Sequence, residues 1–181
     1  MHYAAWCALL LVPGVLGKVR MDVYVESRCP DYDNQDAVDL HFNYIGKLNS
    51  SLTYGCFANV QQLCVQKNSD ASTTLQYILC QGASPSQIGG YWLFAECLKL
   101  VPSWFSTIRC VAGSEGAQLL QNSVVNSQHN DVTASLTFAL NGQKRCVFDS
   151  GHWVTAEDGC PGGGSVPLFG KSIRELAGSA S

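Results

Sequence analysis

The cysteine content constrains this chain more than any other feature of its sequence. The 181 residues include nine cysteines, and no two of them are spaced as C-x-x-C. The absence of C-x-x-C spacing argues against a zinc ribbon and against an ordinary dithiol redox motif. Cysteines at this density, in a chain with 46% hydrophobic and 14% charged residues, are typical of a globular domain braced by disulfides in an oxidising compartment.

The N-terminus indicates entry into that compartment. Residues 4–16 form an apolar run that is too short to span a bilayer and ends at Gly17. We predict a signal peptide over 1–17, a mature domain over 18–181 without a membrane span, and a secreted or lysosomal location. A buried N-terminal helix is the alternative, but strand-like sequence starts directly after Gly17. In the secretory pathway, Asn49-Ser50-Ser51 is an N-glycosylation sequon.

Removal of the signal peptide leaves eight cysteines, whose pairing cannot be read from their spacing. A metal site built on Cys146, His152 and Cys160 lacks a fourth ligand, so we expect no metal and no cofactor. A net charge of -3, without a run of basic residues, excludes most nucleic-acid binders. Apart from Cys29, treated below, the cysteines of the mature chain are the candidates for structural disulfides: Cys56, Cys64, Cys80, Cys97, Cys110, Cys146 and Cys160.

The first half of the predicted domain begins with a strand. Residues 19–26 alternate apolar and polar side chains, which favours a strand with one apolar face. Proline is preferred at the first position of a helix, so Cys29-Pro30 places the cysteine at a helix start. We predict that this helix continues to residue 48, because apolar residues recur at helical spacing: Ala37, Leu40, Tyr44 and Leu48. A second strand is predicted over 51–56.

The rest of the chain is predicted to be helical and then to return to strand. Residues 57–128 favour several helices, in which Trp92 and Trp104 are expected to pack. Strands over 132–140 and 143–148 flank Asn141-Gly142, a strong hairpin signal, and a short helix is expected over 172–177. This order predicts an α/β thioredoxin-like fold with a helical insertion at about 57–128.

Three stretches resemble the gamma-interferon-inducible lysosomal thiol reductase (GILT) family. Residues 23–31 are similar to its first strand and active-site turn, which ends Glu-Ser-x-Cys-Pro-Asp, and residues 48–55 to its second strand. Residues 96–98 and 108–120 are similar to its cysteine-bearing inserted helices. The resemblance covers roughly residues 19 to 145.

The resemblance implies a thiol–disulfide oxidoreductase that reduces protein disulfides in acidic compartments. Cys29 would be the attacking cysteine, within an active-site motif completed by Pro30, Asp31 and Tyr32. The chain departs from the family at three places. Tyr32 occupies the position of the resolving cysteine, residues 134–137 lack the expected proline, and the family's Cys-Gln-His-Gly signature is absent.

A single cysteine at a helix start can still perform disulfide exchange, since an external small thiol can release it. Backbone N–H groups and Arg28 favour its thiolate, whereas Asp31 and Asp33 oppose it. Cys29 as half of a structural disulfide is the plainer alternative. Two functions follow: a single-cysteine thiol reductase, or a catalytically inactive, disulfide-rich binding or chaperone-like relative.

Overall fold

The computed structural model describes residues 19–25, 38–45, 54–133, 136–149 and 152–153, together with 171, 173, 175 and 176. Within these residues five strands form one sheet in the order β2-β1-β3-β4-β5. The strands are β1 (Val19–Val25), β2 (Val38–Tyr44), β3 (Thr137–Leu140), β4 (Gln143–Asp149) and β5 (His152–Trp153). Strands β1 and β2 are parallel, and β3 runs antiparallel to β1.

Helices occupy the chain between β2 and β3. They are α1 (Tyr54–Asn68), α2 (Ala71–Gly82), α3 (Tyr91–Cys97), α4 (Trp104–Ala112) and α5 (Ser114–His129), with short 3₁₀ turns at Pro85–Gln87 and Leu98–Leu100. Among the described residues, none of the helices has the length and apolar character needed to cross a membrane. The mixed sheet and the inserted helices confirm the predicted α/β architecture.

Two predicted elements are wrong, and both lie between β1 and the insertion. Residues 38–44, expected in the first helix, form β2, where Leu40, Phe42 and Tyr44 are buried and the intervening side chains are more exposed. Residues 54–56, expected in a strand, form the first turn of α1. The strand predicted over 132–140 is shorter, because residues 132 and 133 are outside β3.

The hairpin and the last helix follow the sequence more closely. Asn141 and Gly142 join β3 to β4 with φ of 49° and 76°, as a tight hairpin turn requires. Residues 171, 173, 175 and 176 are helical, in agreement with the helix expected there, and Ile173 is buried.

The main core lies between the sheet and the inserted helices. It combines apolar side chains of four strands with those of the helices, including Val23, Phe42, Leu140, Cys146, Leu63, Leu75 and Phe94. Two disulfides brace the helices: Cys64–Cys110 joins α1 to α4, and Cys80–Cys97 joins α2 to the end of α3. The predicted disulfide-braced insertion is therefore confirmed.

A chain of buried amides and phenols crosses this core. The hydroxyl of Tyr44 donates to Gln62 Oε1 over 2.5 Å, and Gln62 Nε2 donates to Gln81 Oε1 over 2.6 Å. Gln81 Nε2 in turn donates to the hydroxyl of Tyr77 over 2.8 Å and to Gln61 Oε1 over 3.1 Å. Burial raises the pKa of Tyr77 far above its ordinary value of 10.0, which keeps the phenol neutral and available to this network.

Candidate functional site

The predicted site follows β1 directly in the sequence. The strand ends at Val25, and Cys29 comes four residues later. Cys29, Pro30, Asp31 and Tyr32 lie outside the described residues, as do Asn49 and Cys160. Their roles stay predictions, and the described elements define the edge of the sheet at which β1 ends.

Three strands meet at that edge. The carboxyl ends of the parallel strands β1 and β2 lie on the same side of the sheet. The antiparallel strand β3 begins there, because Thr137 pairs with Tyr24. Leu136 and Thr137, which belong to the stretch lacking a proline, are both only 1% exposed. Strand β1 therefore ends near a buried leucine and threonine.

Helix α1 reaches toward the same edge. Gln66 binds the backbone of Phe42, and Gln62, one turn earlier, accepts the hydroxyl of Tyr44. The helix therefore runs antiparallel to β2, and its first turns extend in the direction in which β1 and β2 end. Cys56 lies in this part of α1, six residues or about 9 Å of helix before Gln62.

The described cysteines divide into disulfides and one thiol. Cys64 is bonded to Cys110 and Cys80 to Cys97, and Cys146 in β4 is also disulfide-bonded. Cys56 was expected in a disulfide, but the structure gives it a half-buried thiol, which corrects that expectation. It lies on the first turns of α1, eight residues or about 12 Å of helix before Cys64 of the Cys64–Cys110 bond.

The expected packing of the insertion tryptophans is also wrong. Tyr91 and Trp92 are 72% and 81% exposed, and Trp104 and Phe105 are exposed as well. The rings form two edge-to-face pairs, with centroids 5.3 Å apart for Tyr91–Trp92 and 5.8 Å for Trp104–Phe105. Adjacent aromatic residues lie about 100° apart around a helix, which is within the width of a core-facing stripe, so their spacing alone does not distinguish a buried face from an exposed one.

The architecture is a thioredoxin-like fold, as comparison with solved structures shows. It is similar to the oxidoreductase NmDsbA1 from N. meningitidis, with a TM-score of 0.56, 10% sequence identity, and coverage of 90% of this chain and 83% of that chain. Reduced DsbA1 from Neisseria meningitidis gives a TM-score of 0.53 at 10% identity, over 90% of this chain and 87% of the other.

A third similar structure comes from another organism. Wolbachia pipientis alpha-DsbA1 matches with a TM-score of 0.52 and 14% identity, over 90% of this chain and 87% of that one. No protein-family model and no curated protein matches the chain. At these identities the structural likeness establishes the thioredoxin-like fold, and the resemblance to the GILT family remains a prediction from the motifs.

Proposed function

We propose that the protein is a thiol–disulfide oxidoreductase of the secretory or lysosomal lumen that acts on protein disulfides, with Cys29 as its nucleophile. One observation carries the proposal: in a thioredoxin-like sheet, the strand that precedes Cys29 lies between a parallel and an antiparallel neighbour. The sequence has Cys-Pro four residues after the end of this strand, in the manner of the GILT-type active-site turn. From Pro30 we predict that Cys29 begins a helix, where its thiolate is favoured.

The chemistry needs one protein thiolate and an external small thiol. The Cys29 thiolate attacks one sulfur of the substrate disulfide, and the other substrate sulfur leaves as a thiolate and takes up a proton. Tyr32 cannot form a disulfide, so no neighbouring cysteine resolves the mixed disulfide. Instead, a small-thiol thiolate attacks the Cys29 sulfur and releases the substrate sulfur that was bonded to it. A second small-thiol thiolate then attacks the small-thiol sulfur that is bonded to Cys29. The two small thiols leave joined as a disulfide, and the Cys29 thiolate is regenerated.

The test is reduction of a disulfide-linked protein, such as insulin, by the chain from residue 18 onward in the presence of a small thiol. We expect Cys29→Ser to lower the rate to that of the small thiol alone. Cys56→Ser, which removes the thiol found in α1, is the matched variant and should retain the wild-type rate. An unchanged rate in Cys29→Ser would refute the proposal, whereas a loss in Cys56→Ser would replace the single-cysteine mechanism by one with two cysteines.

The proposed compartment has a test of its own. The apolar run over 4–16 and the sequon at Asn49 support export and glycosylation. We expect the chain to be secreted or delivered to a lumen in a eukaryotic host, with an endoglycosidase-sensitive mass that Asn49→Gln abolishes. A mass that changes neither on endoglycosidase digestion nor in Asn49→Gln would argue against glycosylation at this position.

A second candidate function is a catalytically inactive binding or chaperone-like protein. Tyr32 at the position of the resolving cysteine and the exposed pairs Tyr91–Trp92 and Trp104–Phe105 favour it, since clustered exposed apolar side chains mark interaction surfaces. It predicts that binding of a reduced, unfolded polypeptide survives Cys29→Ser and weakens in Trp92→Ser. It also predicts that only Tyr32→Cys creates measurable reductase activity.

A further inference from the structure

The two disulfides of the insertion differ in their access to solvent. Cys64 and Cys110 are 0% and 1% exposed, so both sulfurs of that bond belong to buried residues. In the second bond, Cys97 is 0% exposed, but Cys80 is only partly buried. A reductant in solution therefore has an approach to one residue of the Cys80–Cys97 disulfide and to neither residue of the other.

The Cys64–Cys110 bond is also enclosed by long helices. It joins α1 to α4, and α5 packs against both of them. Gly116 of α5 comes so close that an added Cβ would lie 3.2 Å from Cys64 Sγ. Breaking this bond would require α5 to move away, which amounts to unfolding the insertion.

The Cys80–Cys97 bond closes a segment of short elements. The two cysteines are 17 residues apart, and between them lie the 3₁₀ turn Pro85–Gln87 and the seven-residue helix α3. Helices this short gain little stability from their own backbone hydrogen bonds and depend on packing against the rest of the protein. Besides the disulfide, three buried side chains anchor the segment: Ile88, Leu93 and Phe94.

We propose that the Cys80–Cys97 disulfide is a redox switch that holds residues 83–97 against α2. A dithiol reductant attacks the Cys80 sulfur as a thiolate, and Cys97 leaves as a thiolate and is protonated. The second thiol of the reductant then displaces the Cys80 sulfur, so the reductant becomes a cyclic disulfide and the protein gains two thiols. The sheet and the α1, α4 and α5 helices stay folded because Cys64–Cys110 remains closed.

Reduction changes the surface of the insertion. The segment already presents Tyr91 and Trp92 to solvent, and its release from α2 uncovers Ile88, Leu93 and Phe94 next to them. The reduced form therefore displays a larger apolar surface than the oxidised form. This switch does not depend on the proposed activity of Cys29, and Cys29→Ser should leave it intact.

Graded reduction of the native protein tests the switch. The protein is treated with increasing dithiol under native conditions, alkylated, digested and mapped by mass spectrometry. We expect Cys80 and Cys97 to be alkylated at least about tenfold faster than Cys64 and Cys110, with unchanged far-ultraviolet circular dichroism. Equal rates for the two pairs, or reduction of Cys80–Cys97 only together with global unfolding, would overturn the proposal.

A double variant tests the structural consequence without a reductant. Cys80→Ser combined with Cys97→Ser should be cleaved by a protease within 83–92 at the rate of reduced wild type, and it should bind an apolar fluorescent dye more strongly than oxidised wild type. Oxidised wild type treated with the same protease is the control. If the double variant and the oxidised wild type are cleaved at equal rates, the disulfide does not hold the segment and the switch is refuted.

Discussion

Gly116 lies at a close contact between α5 and the helices α1 and α4. A Cβ at this position would be 2.6 Å from Val60 Cγ1 and 2.9 Å from the carbonyl oxygen of Cys110. Only the valine side chain has freedom to move, because the carbonyl belongs to the backbone of α4. We therefore expect Gly116→Ala to lower the free energy of unfolding by about 1–3 kcal/mol, measured by denaturant titration.

Gly82 provides a control for the same substitution. It is the last residue of α2, and an added Cβ there would meet nothing within 4 Å. Alanine also restricts the unfolded chain more than glycine, so Gly82→Ala should stabilise the protein by roughly 0.4–1 kcal/mol. Destabilisation of the same size in both variants would show that helical glycines, rather than the contact at Gly116, determine the effect.

Asp70 makes the stability of α2 depend on pH. Its carboxylate is the N-cap of the helix and accepts the backbone N–H of Thr73 over 2.7 Å. The hydrogen bonds from Thr73, the backbone one first, hold the pKa of Asp70 below its ordinary value of 3.8. Because the folded pKa is depressed, the stabilisation is complete above pH 3.8 and is lost as the pH falls through the folded pKa.

Thermal unfolding at two pH values tests this capping contribution. Asp70→Ala should lower the melting temperature at pH 7, and the difference from wild type should shrink at pH 2.5. Asp70→Asn keeps an oxygen acceptor without the charge. Its melting temperature should therefore fall less at pH 7 than that of Asp70→Ala, and its difference from wild type should depend less on pH. The same loss in Asp70→Ala at both pH values would show that the carboxylate charge has no part in the cap.

Strand β2 is an edge strand whose open side is covered by side chains. Gln66 of α1 acts like a paired strand, because its Oε1 accepts the N–H of Phe42 over 2.6 Å and its Nε2 donates to the Phe42 carbonyl over 3.2 Å. On α5, Ser123 Oγ accepts the N–H of Tyr44 over 2.7 Å, and Ser127 Oγ donates to the Tyr44 carbonyl over 3.0 Å. The insertion thereby protects an edge that would otherwise be open to pairing with another chain.

Removal of this protection should affect both stability and solubility. Gln66→Ala removes the side-chain amide that hydrogen-bonds the N–H and carbonyl of Phe42. We therefore expect the free energy of unfolding, measured by denaturant titration, to fall by about 1–3 kcal/mol. The bare edge should also increase aggregation, seen by light scattering during refolding. Gln118→Ala, at an exposed position of α5, is the control and should change neither quantity. Equal behaviour of the two variants would contradict the role of Gln66.

Local signals predict some elements well and β2 poorly, for an identifiable reason. The strict alternation over β1 and the Asn141-Gly142 turn each have one interpretation, and both elements form where expected. In β2, however, Leu40 and Tyr44 are four residues apart, which suits one face of a helix and one face of a strand equally. Phe42, which lies between them in the sequence, is buried on the same face as both. Burial at every second residue is typical of a strand and not of a helix.

At the scale of the whole molecule, the sequence predicts the fold class and the strand that precedes the candidate cysteine. It does not predict how the insertion is tied together, because disulfide partners depend on helix packing rather than on spacing. Cys64 and Cys110 are 46 residues apart and meet because α1 and α4 pack against each other. For the same reason, the thiol of Cys56 could not be distinguished from its disulfide-bonded neighbours in the sequence.

The two disulfides should contribute differently to global stability. A cross-link restricts the unfolded chain more when it closes a longer loop, and loops of 46 and 17 residues correspond to about 4 and about 3 kcal/mol in the chain-entropy description. Cys64→Ser with Cys110→Ser should therefore destabilise the protein more than Cys80→Ser with Cys97→Ser in denaturant titration. The difference should exceed the entropic one, because the first pair also buries two hydroxyls beneath α5 in place of sulfur. A larger loss of stability in Cys80→Ser with Cys97→Ser would contradict this expectation. It would mean that residues 83–97, rather than the junction of α1, α4 and α5, hold the insertion on the sheet.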